Sequence, residues 1–299
     1  LPLLSSIKSF STFISHISEF SSQPPFVISY CLLPDLVNLL SLSSSTKISS
    51  IRANLFKNYM FTYGSIPGFF LAVFNYMLLI PFDHVVVLNR SMYNSLYRVY
   101  TRLSIIPNFV DEQYLEFFRR SSKRSHPFFD FVFIGSLTNR KRPDLLLLSF
   151  AKLPNLNNIR LHFVGSGPLL KQLVTDVDRL GLKGKVFIHG HLDNPYKILS
   201  ESHVFVLPSE SEGTSRAAME ALFLGVPCIL RDVDSNADLL TDIASGLLFR
   251  NDHELTAVMQ KSIDLFETSN RFSSVSMLPS TLRMKFASSL FVSLLEKLS

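Results

Sequence analysis

The chain has 299 residues, 47% of them hydrophobic, which is enough for one large or two medium cores. Its two cysteines, Cys31 and Cys228, match no metal-ligand spacing and fit a reducing cytoplasm. The formal net charge is +5, but the basic residues are scattered and no aromatic-basic recognition motif occurs; this weighs against nucleic acid and favours a small anionic ligand or an anionic membrane surface.

The opening segment LPLLSSIKSFSTFISHISEF carries apolar residues at intervals of three and four, which predicts a helix. It begins at Leu1 with no basic leader, apolar core and cleavage site in sequence, so it reads as the interior of a domain rather than a signal peptide. PFVISYC predicts a strand, DLVNLLSL a helix and KISSI a second strand. The most apolar stretch, Ile66 to Phe82, has too few residues between its prolines to span a bilayer that needs roughly 20. It predicts a buried core helix, with docking on a membrane face as the alternative. DHVVVLN then reads as a strand covered on both faces, RSMYNSLYRVY as a helix, and LSIIPNFVDEQY as a short strand entering a Pro-Asn turn. The polar run RRSSKRSHP has few core residues and marks a domain boundary, giving a first domain over 1–125.

The same alternation restarts over 126–275. FFDFVFIGS predicts a strand, and Pro143 opens a helix at the position where proline is tolerated. IRLHFVGSGP is a strand with a glycine turn, followed by the helix LLKQLVTDVDRLGL. KVFIHG and HVFVLPS are strands separated by a helix over about 195–202, and PCILRD is a further strand after the helix that begins near Arg216. The segment 276–299 closes the chain with a helix whose Leu282, Phe286, Leu290, Leu294 and Leu298 form an apolar stripe expected to pack on the first domain. Alternating strands and helices imply an α/β protein with parallel sheets.

In such sheets ligands bind beyond the carboxyl ends of the strands. Three loops of the second half sit there: Gly135 to Pro143, Gly165 to Pro168 and Ser209 to Arg216. The first carries Arg140, Lys141 and Arg142, whose charge would meet an anion beside the free amides of a helix amino terminus. Glu212 precedes the helix and Glu220 follows eight positions on, roughly 12 Å or less along a helical axis. Read alone, Glu212 could complement the helix dipole and Glu220 could be a surface charge. The apolar neighbours Ala217, Ala218, Met219, Ala221 and Leu222 make surface exposure of Glu220 awkward. Two carboxylates flanking an anion site suit a ligand with hydroxyls on both sides of a diphosphate, which is the form of a nucleotide sugar.

PSESEGTSRAAMEALFLGVPCIL, with a Glu, seven residues and a second Glu, resembles the carboxyl-terminal domain of the GT-B glycosyltransferases, family 4 of the retaining enzymes. FIGSLTNRKRPDLLLLSFAKL, LHFVGSGP, VFIHG and GLLF are similar to further landmarks of that family, and IIPNFVD resembles its interdomain hinge. The resemblance is strong from Ile105 to about Phe249 and weak before that. It implies two Rossmann-like domains facing a cleft, the first incomplete because the family's first strand and glycine-rich loop have no counterpart, as expected of a chain truncated at the amino terminus. Glu212 would position the donor sugar and Lys141 would meet the diphosphate as the catalytic pair; Glu220 would hold the ribose. Gly135, Ser136, Arg140, Gly190, Leu192, Gly213, Thr214 and Ser215 would complete the donor site, and Arg52 and Asn54 would line the acceptor side. Ser136 stands where the family often has arginine, leaving Arg140 or Arg142 to supply that charge, and Asp238 stands where glutamate is usual.

The resemblance implies a metal-independent, retaining hexosyltransferase that moves a sugar from a nucleotide sugar, a UDP-sugar, to a saccharide or lipid-linked saccharide acceptor in surface polysaccharide assembly. No cofactor is expected and no nucleic acid. His189 and His191 lack the further ligands a metal would need. The expected location is the cytoplasm, at the inner face of the plasma membrane, with peripheral contact. Two alternatives stay open: a non-catalytic nucleotide-sugar-binding remnant, or another GT-B-like enzyme such as a sugar-nucleotide epimerase.

Overall fold

The computed structural model describes residues 26–41, 44–121, 127–269 and 275–299. The predicted opening helix lies outside them. The chain divides into two compact units, one over Leu1–Ile106 with Ser289–Ser299 and one over Pro107–Ser288.

In the first unit β1 (Phe26–Tyr30), β2 (Thr46–Ile51), β3 (His84–Val87) and β4 (Leu103–Ile105) form a parallel sheet in sequence order. Helix α1 (Leu32–Leu40) joins β1 to β2, α2 (Leu55–Tyr63) and α3 (Ser65–Leu78) join β2 to β3, and α4 (Arg90–Leu96) joins β3 to β4. Successive side chains of a strand point to opposite faces. Val85 and Val87 accordingly join a cluster with Leu79 and Phe82 on one face, whereas Val86 joins Ile48, Ile106 and Leu294 on the other. That two-sided burial is why DHVVVLN is apolar without alternation. Under α1, Asp35 accepts hydrogen bonds from Ser29 Oγ at 2.6 Å and Ser49 Oγ at 2.9 Å, so this buried carboxyl is fastened to both strands.

Two expectations are corrected here. The stretch from Ile66 to Phe82 is not a fully buried helix: Gly68, Ala72 and Asn75 are buried, but Ile66, Phe70 and Met77 on the opposite side are exposed. The structural division also falls between Ile106 and Pro107 rather than near residue 125. The reason is α5 (Glu112–Ser121), a short helix that precedes the polar run and enters it only at Arg119. Its Leu115 is buried in the second unit's core, and the rings of Tyr114 and Phe118 meet Tyr196 edge-on and tilted.

The second unit holds a six-stranded parallel sheet of β5 (Phe129–Ile134), β6 (Ile159–Val164), β7 (Val186–Ile188), β8 (Val204–Leu207), β9 (Cys228–Arg231) and β10 (Gly246–Phe249), in the order β10-β9-β8-β5-β6-β7. Its helices are α6 (Pro143–Ala151), α7 (Leu170–Arg179), α8 (Tyr196–Glu201), α9 (Arg216–Phe223) and α10 (Glu254–Ser269). Strands β5 to β7 progress one way and β8 to β10 the other, so the order reverses between β5 and β8. Such a reversal opens a crevice at the carboxyl ends of the two strands. Phe131, Phe133, Phe163 and Phe205 are fully buried and fill the sheet's faces.

Helix α11 (Met284–Leu298) closes the described chain and occupies only part of the expected segment 276–299, because Ser280–Leu282 forms a separate 3-10 turn. The expected stripe is shared out. Leu282 packs on the core of the second unit and Phe286 is exposed, while Leu290, Leu294 and Leu298 join Ile48, Val86 and Ile106 of the first unit. Leu294→Ala is therefore expected to destabilise the first unit by about 2–5 kcal/mol, the range for deleting a buried leucine side chain. Urea denaturation compares variant with parent, and an unchanged midpoint would show that α11 does not close that core.

Candidate functional site

The site residues of the second unit gather where the strand order reverses. Backbone hydrogen bonds set the loops in place: Gly135 N–H donates to Val164 O at 3.0 Å, and Gly165 N–H to Gly190 O at 2.7 Å. Gly165 has φ +144°, and a Cβ there would lie 1.9 Å from Gly135 O. Only glycine permits that approach. Glu210 N–H donates to Arg140 O at 2.9 Å and so joins the loop after β5 to the loop after β8.

Across that junction Lys141 Nζ donates to Glu212 Oε1 at 2.5 Å, and Arg140 Nη1 stands 3.6 Å from the same oxygen. Glu212 is buried and Lys141 is only 13% exposed, so this pair is not a solvated surface contact. Arg140 also donates to Ser211 O at 2.5 Å. Of the two arginines that could supply charge near Ser136, Arg140 therefore faces Glu212. Arg142 is engaged elsewhere: in a left-handed conformation with φ 51°, it reaches Glu210 at 2.6 Å, Asp252 at 3.0 Å and Asp144 at 3.3 Å. Ser136 is exposed, Gly190 turns with φ +69°, and Leu192 packs partly against the core.

Glu212 is also held from beneath by a residue the sequence did not flag. Asp234 Oδ2 accepts from Glu212 N–H at 2.8 Å and from Ser211 Oγ at 2.9 Å, while Ser235 Oγ donates to Gly213 O at 2.9 Å. Asp238, the residue that stood out in the sequence, is exposed on the 3-10 turn Asn236–Leu239. Thr214 O accepts from Asn108 Nδ2 at 3.1 Å, and Ser215 caps α9 by accepting from Ala218 N–H at 3.3 Å. Gly213, Thr214 and Ser215 are buried, so this turn is rigidly set.

Glu220 sits one and a half turns into α9 and is 9% exposed. Burial pushes its carboxyl up to about 7, against the hydrogen bond from Tyr196 Oη at 3.2 Å and the charge of Arg216, which both pull it down. Tyr196 in turn meets Tyr114 edge-on, and Asn194 Nδ2 donates to Tyr114 Oη at 3.1 Å. This aromatic cluster beside Glu220 was also missed, because its members come from α5, α8 and the loop before α8. Chemically the site offers two ammonium or guanidinium groups and two carboxylates around the start of α9. That set can hold an anion and accept hydrogen bonds from neighbouring hydroxyls.

Arg52 and Asn54 belong to the first unit, at the carboxyl end of β2. The Arg52 guanidinium lies 5.4 Å from the centre of the Tyr30 ring, and Asn54 caps α2 by accepting from Lys57 N–H at 3.1 Å. Of the two histidines weighed as metal ligands, His189 stacks on His162 with their ring nitrogens 3.0 Å apart, and His191 lies 3.5 Å from Asp193.

The Glu220 carboxyl has a measurable cost. Its ordinary value is 4.5 and its folded value about 7, so the folded state binds the proton more tightly. Stability is fully favoured below 4.5 and is lost as pH rises to about 7, by about 3 kcal/mol at most. Glu220→Gln is expected to raise the urea midpoint at pH 8 and leave it nearly unchanged at pH 4. Equal effects at both values would mean that Glu220 titrates normally.

Residues 116–275 match the family model Glycosyl transferases group 1. The chain is 31% identical over 122 residues to the N-acetylgalactosamine-N,N'-diacetylbacillosaminyl-diphospho-undecaprenol 4-alpha-N-acetylgalactosaminyltransferase of Campylobacter jejuni, over 40% of this chain and 33% of that protein. It is also 31% identical over 161 residues to the UDP-Gal:alpha-D-GlcNAc-diphosphoundecaprenol alpha-1,3-galactosyltransferase of Escherichia coli, over 49% of this chain and 41% of that one. The chain thus spans less than half the length of these two relatives. Among solved structures it is similar to Anabaena HepE in complex with UDP and glucose, with a TM-score of 0.78 at 14% identity over 95% of this chain and 81% of that one. The pneumococcal O-GlcNAc transferase GtfA in complex with UDP and GlcNAc gives a TM-score of 0.71 at 16% identity, covering 96% and 59%. With its two parallel α/β sheets in the GT-B fold and more than half its length in the family match, the chain belongs to the glycosyl transferases group 1.

Proposed function

We propose that this chain is a retaining glycosyltransferase of family 4 that binds a UDP-sugar and transfers the sugar to a saccharide or lipid-linked saccharide acceptor. The observation that carries the reading is the buried Lys141–Glu212 pair at the strand-order reversal, with Glu220 on the far side of the α9 amino terminus. A diphosphate placed between them meets Lys141, Arg140 and the first amides of α9. The bond from the anomeric carbon to the diphosphate oxygen breaks and its electron pair leaves with the diphosphate, while the acceptor hydroxyl oxygen bonds to that carbon on the same face and its proton passes to the departing diphosphate. Positioned cations and amides stabilise that charge in the role a metal fills elsewhere. Glu212, released from Lys141 as the phosphates arrive, accepts hydrogen bonds from the donor sugar's hydroxyls, and ionised Glu220 accepts those of the ribose. The loop of Gly135 and Ser136 and that of Gly190 and Leu192 border the ligand. Gly213, Thr214 and Ser215 present the amides, and Arg52 and Asn54 serve the acceptor.

The printed names of the two curated relatives, both of which act on diphospho-undecaprenol-linked sugars, favour a surface-polysaccharide acceptor on a lipid carrier. On this reading the chain would work in the cytoplasm, at the inner face of the plasma membrane.

Titration calorimetry and a transfer assay test the roles separately. Lys141→Ala should leave uridine binding unchanged and weaken UDP by about 1.5–3 kcal/mol, or ten- to a hundredfold. Equal loss for both ligands would assign Lys141 to the fold. Glu220→Gln should weaken UDP and UDP-sugar together, whereas Glu212→Gln should keep UDP affinity and depress transfer. If both glutamate variants bind and turn over like the parent, the proposed site is wrong. A parent that binds UDP-sugar without transferring it would favour a non-catalytic binder instead. The ionised form of Glu220 is the better acceptor for ribose hydroxyls, so UDP affinity should fall as pH drops through about 7. Tyr196→Phe removes a hydrogen bond to that form and should move the midpoint upward; a pH-independent affinity would detach Glu220 from the ligand.

A further inference from the structure

Helix α3 of the first unit carries no charged residue on either side. Gly68, Ala72 and Asn75 face inward, and Gly68 lets α3 lie directly on the α2 backbone: a Cβ there would come within 2.6 Å of Met60 and Tyr59 main-chain atoms. The outward side carries Ile66, Phe69, Phe70, Phe74, Met77 and Ile80, spaced by three and four residues and each between 48% and 73% exposed. Met60, Phe61 and Tyr63 extend the exposed apolar surface along α2. Scattered apolar residues are ordinary on a protein surface, but a continuous two-helix face of aromatic and long aliphatic side chains is not.

What covers this face can be argued from length and charge. An uncharged helix with an apolar outer side belongs either inside a core or against lipid. Among the described residues no helix is long and apolar enough to cross a membrane, so lying in the interface remains. No residue from 58 to 82 is charged, unlike the rim of an ordinary protein interface. Around that stretch, between residues 26 and 106, Lys47, Arg52, Lys57, Arg90, Arg98 and Arg102 outnumber Asp83 and the buried Asp35. An apolar face on a basic body complements an anionic bilayer, where each basic residue near the surface adds about 1 kcal/mol.

We propose that the exposed face of the α2–α3 hairpin inserts into the interfacial layer of an anionic phospholipid bilayer. This deepens the proposed location by naming the surface that makes the contact. It is read without donor or turnover, so it can fail while the transfer reaction stands, and the reverse.

The full chain is mixed with vesicles of phosphatidylcholine containing phosphatidylglycerol and sedimented. The parent should pellet with them, and the triple variant Ile66→Ser, Phe70→Ser, Met77→Ser should bind at least about tenfold more weakly. These side chains are exposed, so the melting curve should be unchanged. The sequence contains no tryptophan, which permits a second measurement independent of that variant. Phe70→Trp should shift its emission to the blue when vesicles are added, and Val174→Trp on exposed α7 should not. The proposal is overturned if the parent stays in solution, if the triple variant binds like the parent, or if vesicles leave the Phe70→Trp emission unchanged. A blue shift that follows protein concentration in lipid-free buffer also overturns it, since the occupant would then be a second copy of the chain.

Discussion

The guanidinium of Arg142 joins three separate stretches of chain, reaching Asp144 at the start of α6, Glu210 in the loop after β8 and Asp252 before α10. Arg231, at the end of β9, meets Asp252 at 2.6 Å and Glu210 at 3.6 Å, so two cations and their carboxylates form one network under the strand ends. Partly buried charges of this kind are stabilised only while each keeps its partners. The left-handed backbone of Arg142 costs about 1–2 kcal/mol in isolation, and the surrounding charges hold it there. Because this network occupies Arg142, it is Arg140 and Lys141 that turn to Glu212. The cations that face Glu212 are set by that division of labour among three consecutive basic residues.

A second constraint is the burial of Glu220. The helix that delivers it is packed on both flanks by Met219, Ala221 and Leu222, all without exposure, so the carboxyl is carried into an apolar setting by its neighbours. Among the described residues Tyr196 gives it one hydrogen bond, which is fewer than an ionised carboxylate can accept. The free protein thus holds an acceptor whose capacity is unfilled. Such preorganisation lowers the cost of ordering a site at the moment of binding.

Much of this was legible in the residues. The continuous Val, Phe and Leu of the strands announce sheets covered on both faces, and the carboxyl-end rule alone puts the glycine loops and the two glutamates on one edge. The apolar setting of Glu220 was visible in its immediate neighbours. Other features were not, because they depend on long-range assembly. Asp234 is unremarkable in sequence, and its role appears only when β9 ends beneath the Ser211–Glu212 turn. Helix α5 was not read as an element because it falls between the Pro-Asn turn and the polar run, and its buried anchor Leu115 is supplied to a core far along the chain. The exposure of α3 was misjudged for the opposite reason: hydrophobicity alone does not distinguish a helix buried on all sides from one buried on half.

The near-neutral carboxyl of Glu220 has one more consequence. At pH 7 it is about half protonated, so a ligand that requires the ionised form must displace part of a proton into the buffer. The heat measured on binding would then include the buffer's own ionisation enthalpy, differing between phosphate and Tris at identical affinity. A ligand bound through ionised Glu220 would thus be linked to proton release, and its apparent affinity would depend on the hydrogen-ion activity of the medium.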